Sequence, residues 1–359
     1  MRKITNFNRK ITTFVELIVH KFMAKVIKIT DNSQAYIGNA AELLHELLPK
    51  KRVIVISDSN IDRTHHNLVQ SYEHIFIGQG EQAKSLTTLD EVYRKLIALG
   101  ADRSTFILGI GGGIVTDVAG FVASTFMRGV EFGFITTTLL GAVDASIGGK
   151  NGVNIGGFKN MVGTFSQPKF VICDVSLLHT LPVREFRAGL AEVIKTAILG
   201  DTELFNILEQ SSFDALREDD TLLEDIIARS AQVKASIVAE DEREGGRRRI
   251  LNLGHTLAHA IEKCTSKLSH GEAVAIGLHS ITSSALEQNT ISQGDAERIL
   301  ALLAKYGFES ALPVERKQLL DAIKGDKKRK GNNLHLIIPT AIGSVEDRLV
   351  SLEELKSIL

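Results

Sequence analysis

The sequence predicts an N-terminal Rossmann-like α/β domain with a parallel sheet, followed by an all-α C-terminal domain. Up to about Pro182, apolar runs of strand length alternate with helical patterns, which is typical of a doubly wound sheet with right-handed crossovers. The run at 53–56 is apolar throughout, as in strands buried on both faces. Beyond Pro182, helical patterns follow one another through short connections. We therefore expect an N-terminal extension over 1–22, the α/β domain over 23–182 and the helical domain over 183–359.

Hydrophobic periodicity predicts the elements of both domains. In the α/β domain we predict strands at 25–29, 53–56, 74–77, 105–109 and 132–136, with helices between them. In the second domain we predict helices at 184–200, 201–210, 222–238, 252–263, 271–288 and 296–306, and then a strand at 334–338. Ser57, Asp58, Ser59 and Asn60 follow the second predicted strand, so their polar groups should lie at the edge of the sheet that usually binds ligands.

Composition excludes several classes of protein. The formal net charge is −1, so no overall field favours nucleic acid or a membrane surface. No apolar run approaches the ~20 residues that a membrane-spanning helix needs. Cys173 and Cys264 show no metal-type spacing and indicate a reducing compartment, so we expect a cytoplasmic protein.

A glycine-rich stretch from about 110 to 160 is the strongest ligand signal. Gly111, Gly112 and Gly113 directly follow a predicted buried strand and precede a helix, so the backbone can approach a ligand and the helix N-terminus can face a phosphate. The stretch is a looser relative of the GxGxxG fingerprint and would be weak evidence alone. Further along it carries hydroxyl, amide and charged groups: Thr137, Thr138, Asp144, Lys150, Lys159 and Asn160. We interpret this stretch as the surface that binds a nucleotide and a phosphorylated substrate.

Glu192 and Lys195 lie three residues apart on one face of an otherwise apolar helix. Taken singly, an exposed ion pair of this spacing is the favoured interpretation. Two histidines, His255 and His259, are four residues apart on another helix, and His270 begins a third. Two histidines from different helices together with Glu192 would make a three-ligand metal site with an open position. The spacing alone leaves His255 and His259 equally suited to be the ligand.

Two charged runs have open interpretations. The run 242–249 directly precedes the histidine helix, so one of its arginines is expected to face the cleft and clamp a carboxylate or phosphate, although a solvated loop fits the same composition. The run 326–331 fits a basic surface turn equally well.

Taken in order, these motifs resemble the 3-dehydroquinate synthase family, from about Val53 to Pro339. The motifs are Gly111–Asp117, Met127–Val130, Thr137–Leu140, Val143–Lys150, Glu192–Lys195, Leu251–Thr256, His270–Val274 and Asp326–Lys328. The resemblance implies a homodimer with NAD and one divalent metal, zinc or cobalt. It also implies the conversion of 3-deoxy-D-arabino-heptulosonate 7-phosphate to 3-dehydroquinate and phosphate, through transient oxidation by NAD, phosphate elimination, re-reduction, ring opening and aldol cyclisation.

The resemblance also implies roles for individual residues. Those similar to metal ligands are Glu192, His255 and His270. Those similar to NAD-contacting positions are Asp58, Asn60, Glu81, Lys84, Gly112, Gly113, Asp117, Thr137, Thr138, Lys150, Lys159 and Thr180. Those similar to substrate-binding and catalytic positions are Asp144, Lys150, Asn160, Lys195, Lys234, Glu244, Arg248, Asn252, His259 and Lys327. Arg128 resembles the arginine that reaches the phosphate site of the partner subunit.

Two other activities share features with this pattern. The segment 155–158 departs from the His-Pro of many family members, and related cyclases that act on sedoheptulose 7-phosphate also vary there. That substrate has no carboxylate and would not need the Lys234 and Arg248 pair. A metal- and NAD-dependent polyol dehydrogenase has the same architecture, but it would release NADH and would not need so many phosphate-binding cations.

Overall fold

A computed structural model describes residues 24–324 and 333–358. The predicted extension over 1–22 and the predicted substrate residue Lys327 lie outside the described residues. None of the helices in the described part of the chain is both long and apolar enough to cross a membrane.

The first domain is built on a seven-stranded sheet of order β1-β2-β9-β6-β5-β3-β4. Only β1 and β2 pair antiparallel, whereas the other neighbours are parallel. The strands are β1 (Lys25–Thr30), β2 (Ser33–Ile37), β3 (Val53–Asp58), β4 (Glu73–Ile77), β5 (Phe106–Gly111), β6 (Phe132–Thr136) and β9 (Phe170–Cys173). All five predicted strands are present. The prediction did not include β2, which alternates polar and apolar residues, or β9, which has only four residues.

The sheet is buried on both faces, as its continuous apolar strands predict. Along β3, Ile54 and Ile56 join one hydrophobic cluster, while Val55 joins the cluster on the opposite face. Helices cover both faces, and this double burial explains why the strands are apolar at successive positions. The helices of this domain are α1 (Ala40–Leu47), α2 (Ser59–Thr64), α3 (His66–Val69), α4 (Leu86–Ala98) and α5 (Gly113–Thr125).

A separate hairpin lies between β6 and β9 along the chain. Its strands β7 (Lys150–Ile155) and β8 (Phe158–Phe165) pair antiparallel, and Ile155 lies opposite Phe158. The two residues between them, Gly156 and Gly157, have φ angles of 57° and 80°. Two successive positive φ angles suit a tight hairpin turn, and glycine adopts them without strain. The sequence analysis did not predict this hairpin.

The second region is mainly helical. It contains α6 (Val183–Gly200), α7 (Thr202–Gln210), α8 (Phe213–Glu218), α9 (Asp220–Glu240), α10 (His255–Cys264), α11 (His270–Glu287), α12 (Gln293–Lys305), α13 (Arg316–Lys324) and α14 (Leu352–Ile358). The helix predicted at 252–263 begins three residues later, because Gly254 has a φ of 76° and separates α10 from a 3₁₀ turn at Arg247–Asn252. An antiparallel hairpin, β10 (Asn333–Ala341) and β11 (Ser344–Ser351), also belongs to this region, and only its first strand was predicted.

Candidate metal and nucleotide site

The glycine turn joins β5 to α5 at the carboxyl edge of the sheet. Gly112 precedes the helix, and no side chain of the described residues caps its first amides. Added Cβ atoms on Gly112 and Gly113 would lie 2.8 Å from Thr138 Cγ2 and 3.0 Å from Ala145 Cβ. The turn is therefore packed closely against the segment after β6, and uncapped helix amides at such a turn favour an anion.

A second predicted nucleotide group lies at the end of β3. Asp58 caps α2 by accepting hydrogen bonds from the backbone amides of Asn60 and Ile61, at 2.7 and 3.3 Å. The hydroxyl of Thr180 lies 2.9 Å from His65 Nε2, just after α2. The fold thus brings Thr180 to one end of α2, whose other end Asp58 caps.

A third group connects the first domain's helices to the β7–β8 hairpin. Lys84 is 5% exposed and donates hydrogen bonds to Asp117 Oδ2, at 2.5 Å, and to Asn160 Oδ1, at 2.6 Å. Burial alone would lower the pKa of Lys84, but Asp117 and Glu81 raise it above its usual value, so the lysine stays charged. Asn154 Nδ2 donates to Glu81 at 2.7 Å. These contacts fix five polar side chains beside the hairpin.

The segment after β6 forms a π-helical turn, Gly141–Ala145, that carries Asp144. Such turns are frequent at functional sites. Lys234 Nζ is 2.6 Å from Asp144 Oδ1, and Lys195 Nζ is 3.7 Å from the same oxygen. Burial would raise the pKa of Asp144, but Lys234 and Lys195 lower it to about 2. Burial lowers the pKa of Lys234 to about 8, which is closer to neutrality than an ordinary lysine.

Glu192, His255 and His270 form a cluster whose candidate ligand atoms all lie within 4.8 Å of one another. Glu192 Oε1 is 3.5 Å from His255 Nε2 and 3.3 Å from His270 Nε2. Glu192 is fully buried, and neither of its oxygens makes a hydrogen bond of good geometry within the described part of the chain. Two imidazoles that face one buried carboxylate suit a divalent metal with an open position.

The geometry also separates the two histidines that the spacing left equivalent. His255 Nδ1 lies 3.0 Å from the carbonyl oxygen of Leu253, so this nitrogen donates and Nε2 is directed toward Glu192. His259 packs edge-on against His255, with ring centroids 5.4 Å apart, and is not among the three clustered residues. His255 therefore has the better position for a metal ligand.

Neighbouring cations keep the buried carboxylate of Glu192 ionised. Burial would raise the pKa of Glu192, but Lys195, His255 and His270 hold it well below its usual value. Burial would lower the pKa of His270, but the carboxylates of Glu192 and Glu262 raise it to about 10. Lys195 contacts Glu192 Oε2 closely, so the pair is buried rather than exposed, contrary to the interpretation favoured for this spacing alone. Nearby opposite charges thus favour the charged form of both groups.

The cationic run 242–249 faces the same region. Arg248 is 2% exposed and donates to the carbonyl oxygen of Gly148 at 2.9 Å. Glu244 pairs with Lys150, and its other oxygen accepts from Asn252 Nδ2 at 2.6 Å. The solvated-loop interpretation is thus wrong for Arg248, whereas Arg247 pairs with Glu240 and is exposed.

Two of the predicted site residues, Lys159 and Arg128, are exposed. Lys159, expected to contact NAD, pairs with Glu262 at 2.8 Å. Arg128 is exposed just after the C-terminal end of α5, whereas the glycine turn is at the opposite end. A 13-residue helix spans about 20 Å at 1.5 Å per residue, so Arg128 is far from its own glycine turn.

Sequence reasoning missed two residues of this region, Glu262 and Asn154. Glu262 lies seven residues after His255, on the same helix face, and that spacing was the available signal. Asn154 joins Glu81 to the backbone amide of Asn160, and nothing in its local sequence distinguished it.

Comparison with known proteins gives consistent results across the chain. Family models described as 3-dehydroquinate synthase N-terminal and C-terminal match residues 74–188 and 189–329. The 3-dehydroquinate synthase of Koribacter versatilis is 39% identical, over 92% of this chain and 98% of that protein. The corresponding protein of Nostoc sp. is 44% identical, over 74% of this chain and 75% of that protein.

Solved structures extend the comparison to cofactors. A 2-deoxy-scyllo-inosose synthase complexed with carbaglucose-6-phosphate, NAD+ and Co2+ has a TM-score of 0.85 and 27% identity, and covers 94% of this chain and 99% of that one. A 2-epi-5-epi-valiolone synthase from Streptomyces hygroscopicus with NAD+ and Zn2+ has a TM-score of 0.82 and 27% identity, over 90% and 94%. Glycerol dehydrogenase from Schizosaccharomyces pombe has a TM-score of 0.64 at 16% identity, over 94% and 89%, and shares the fold.

Proposed function

The chain belongs to the 3-dehydroquinate synthase family, and from this premise we propose which of its residues carry out that family's reaction. The enzyme is an NAD- and divalent-metal-dependent, phosphate-eliminating cyclase that forms 3-dehydroquinate from 3-deoxy-D-arabino-heptulosonate 7-phosphate. The observation that carries the assignment is the buried cluster of Glu192, His255 and His270, which is linked through Lys195 to Asp144.

We assign Glu192, His255 and His270 to the metal, and the glycine turn with Asp58, Lys84 and their neighbours to NAD. The buried carboxylate of Glu192, which faces both imidazoles, supports the first assignment, and the uncapped amides of α5 support the second. When bound, the metal would supply Lewis-acid activation of the C5 hydroxyl and NAD would supply reversible hydride transfer, so the reaction would have no net redox change. Zinc and cobalt both suit this nitrogen and oxygen ligand set.

The chain's own residues bind and orient the anionic ends of the substrate. Arg248 and Lys234 would bind the carboxylate, because both are buried cations beside the π-helical turn. Lys150, Asn252 and His259 would bind the phosphate. Asp144 keeps its carboxylate charged beside Lys195 and Lys234, which holds both amines in position before the substrate arrives. The buried position of the Lys234 and Arg248 pair favours a substrate with a carboxylate over sedoheptulose 7-phosphate.

We also propose a homodimer in which Arg128 completes the phosphate site of the other subunit. Met127 and Arg128 have φ angles of 49° and 71°, and such strain at two successive non-glycine residues is typical of functional segments. Their separation from the glycine turn of the same chain supports a role in the partner. Mixing inactive Arg128→Ala and Lys195→Met subunits should restore activity, because a mixed dimer retains one intact site. No recovery in proven mixed dimers would contradict this role.

Two further assignments are proposals. The boundary between the domains would lie at 182–183, where α6 begins. Cytoplasmic location is supported by Cys173 and Cys264, both of which are free thiols.

Phosphate release from 3-deoxy-D-arabino-heptulosonate 7-phosphate, with NAD and Co²⁺ or Zn²⁺, tests the assignment. We expect one phosphate and one 3-dehydroquinate per substrate, identified by mass, without accumulation of NADH. Glu192→Gln and His255→Ala should lose this activity and Co²⁺ binding together. Turnover of sedoheptulose 7-phosphate instead, or NADH accumulation on a polyol, would contradict the proposed substrate or the cyclase chemistry, respectively.

A further inference from the structure

Glu262 is a buried carboxylate that the proposed chemistry does not use. Its side chain is 6% exposed on α10, and its Oε1 atom lies 3.2 Å from His270 Nδ1 and 2.8 Å from Lys159 Nζ. A carboxylate this buried is costly unless donors satisfy it. Both donors come from other elements, since His270 begins α11 and Lys159 lies on β8.

The His270 ring lies between two carboxylates, one at each nitrogen. Nε2 is directed at Glu192 Oε1, at 3.3 Å, and Nδ1 is directed at Glu262. A carboxylate at Nδ1 holds a proton on that nitrogen, so a metal would take the place of the proton on Nε2, the nitrogen that faces the cluster. His255 has the same arrangement with a different acceptor, because its Nδ1 donates to the carbonyl oxygen of Leu253. In both His255 and His270, Nδ1 thus donates a hydrogen bond to an oxygen outside the cluster, and Nε2 faces Glu192.

We propose that Glu262 is a positioning residue that fixes the orientation and tautomer of His270 for the metal. The inference depends on the metal site proposed above. An anionic acceptor at Nδ1 makes an imidazole a stronger ligand than a carbonyl acceptor does, and partners of this kind typically change metal affinity by 10–100-fold. Lys159 satisfies the second position on Oε1 and so keeps the buried carboxylate charged.

The alternative is that Glu262 serves only to join the β7–β8 hairpin to α10, through its ion pair with Lys159. The two roles predict different behaviour for Lys159. If the tie were the whole role, Lys159→Met and Glu262→Ala would have equal effects. If Glu262 positions His270, Lys159→Met leaves the carboxylate at Nδ1 and should affect metal affinity much less.

Co²⁺ affinity of the full-length, metal-stripped protein, measured by competition with a chelator, separates these roles without an activity assay. We expect Glu262→Ala to weaken Co²⁺ binding by about 10–100-fold and to shift the visible absorption of bound Co²⁺. Glu262→Gln keeps an oxygen acceptor without charge and should have a smaller effect. Glu209→Gln, which removes an exposed ion pair with Arg298, is the matched control and should bind Co²⁺ normally.

The outcomes distinguish failure of this inference from failure of the metal site itself. Loss of Co²⁺ binding in His270→Ala together with normal affinity and spectrum in folded Glu262→Ala would overturn the inference alone. Equal losses in Lys159→Met and Glu262→Ala would also overturn it, in favour of the domain tie. Normal Co²⁺ binding in His270→Ala would overturn the metal site, and the inference with it.

Discussion

Lys234 Nζ donates two hydrogen bonds to Asp144, one to its backbone carbonyl oxygen at 2.6 Å and one to its carboxylate at 2.6 Å. Asp144 belongs to the π-helical turn of the first domain, and Lys234 belongs to α9 of the helical region. The contact therefore aligns the two halves of the proposed substrate site.

The lowered pKa of Lys234 predicts a pH-dependent KM. Burial lowers this pKa to about 8, so the amine is protonated below that pH and becomes neutral above it. Because a neutral amine attracts a carboxylate less, KM should rise above pH 8, approaching about tenfold per pH unit if the charge is required. Lys234→Arg stays charged throughout and should remove the rise. An equal rise in that variant would assign the dependence to another group.

The buried pair of Glu192 and Lys195 predicts a stability effect in metal-free protein. Glu192→Gln leaves Lys195 without its nearest countercharge at 1% exposure. We expect a loss of about 3 kcal/mol, as for other buried pairs that lose one partner, measured from the urea midpoint in the presence of chelator. Glu209→Gln removes an exposed pair and should cost less than about 1 kcal/mol. If Glu192→Gln and the unsubstituted protein had the same urea midpoint, the buried pair would contribute no net stability.

Close packing of α6 and α11 holds Glu192 near His270. A Cβ on Gly271 would lie 2.0 Å from the carbonyl oxygen of Ala188, one turn before Glu192. Gly271→Ala should therefore push the helices apart, with a cost of about 1–3 kcal/mol and weaker Co²⁺ binding. Gly294→Ala is the control, because its Cβ meets no described atom within 4 Å and should be neutral or stabilising. Unchanged Co²⁺ affinity in a folded Gly271→Ala protein would contradict this account.

The buried hydrogen bonds of Lys84 predict that its replacement weakens NAD binding. Lys84→Met removes two charge-assisted hydrogen bonds that join Asp117 to Asn160. At about 1.5–3 kcal/mol for bonds to charged groups, NADH affinity measured by fluorescence should fall roughly 10–100-fold. Lys95→Met, on the exposed face of α4, should bind NADH normally. If both variants bound NADH equally, the Lys84 network would have no role in the nucleotide site.

Much of the fold was predictable because burial leaves a periodic signal. The five sheet strands that were predicted are apolar or alternating runs. Helical patterns separate these runs, and this alternation predicted a mainly parallel sheet. The hairpin strands β7 and β8 were not predictable in this way, because β8 has no buried residue and their pairing is set by Gly156 and Gly157. The start of α10 was wrong by three residues because the positive φ of Gly254 interrupts an otherwise helical pattern.

The sequence by itself determined the two-part architecture, the family and the residue types of the site, since periodicity and ordered motifs are properties of the chain. Only the tertiary structure decided that Glu192 and Lys195 are buried rather than exposed, that His259 packs against His255 outside the cluster, and that Glu262 contacts His270. Spacing along a helix fixes which residues share a face, but not what that face contacts. Burial and the partner at each imidazole nitrogen depend on helices that are distant in sequence, and those contacts set the charges that the chemistry requires.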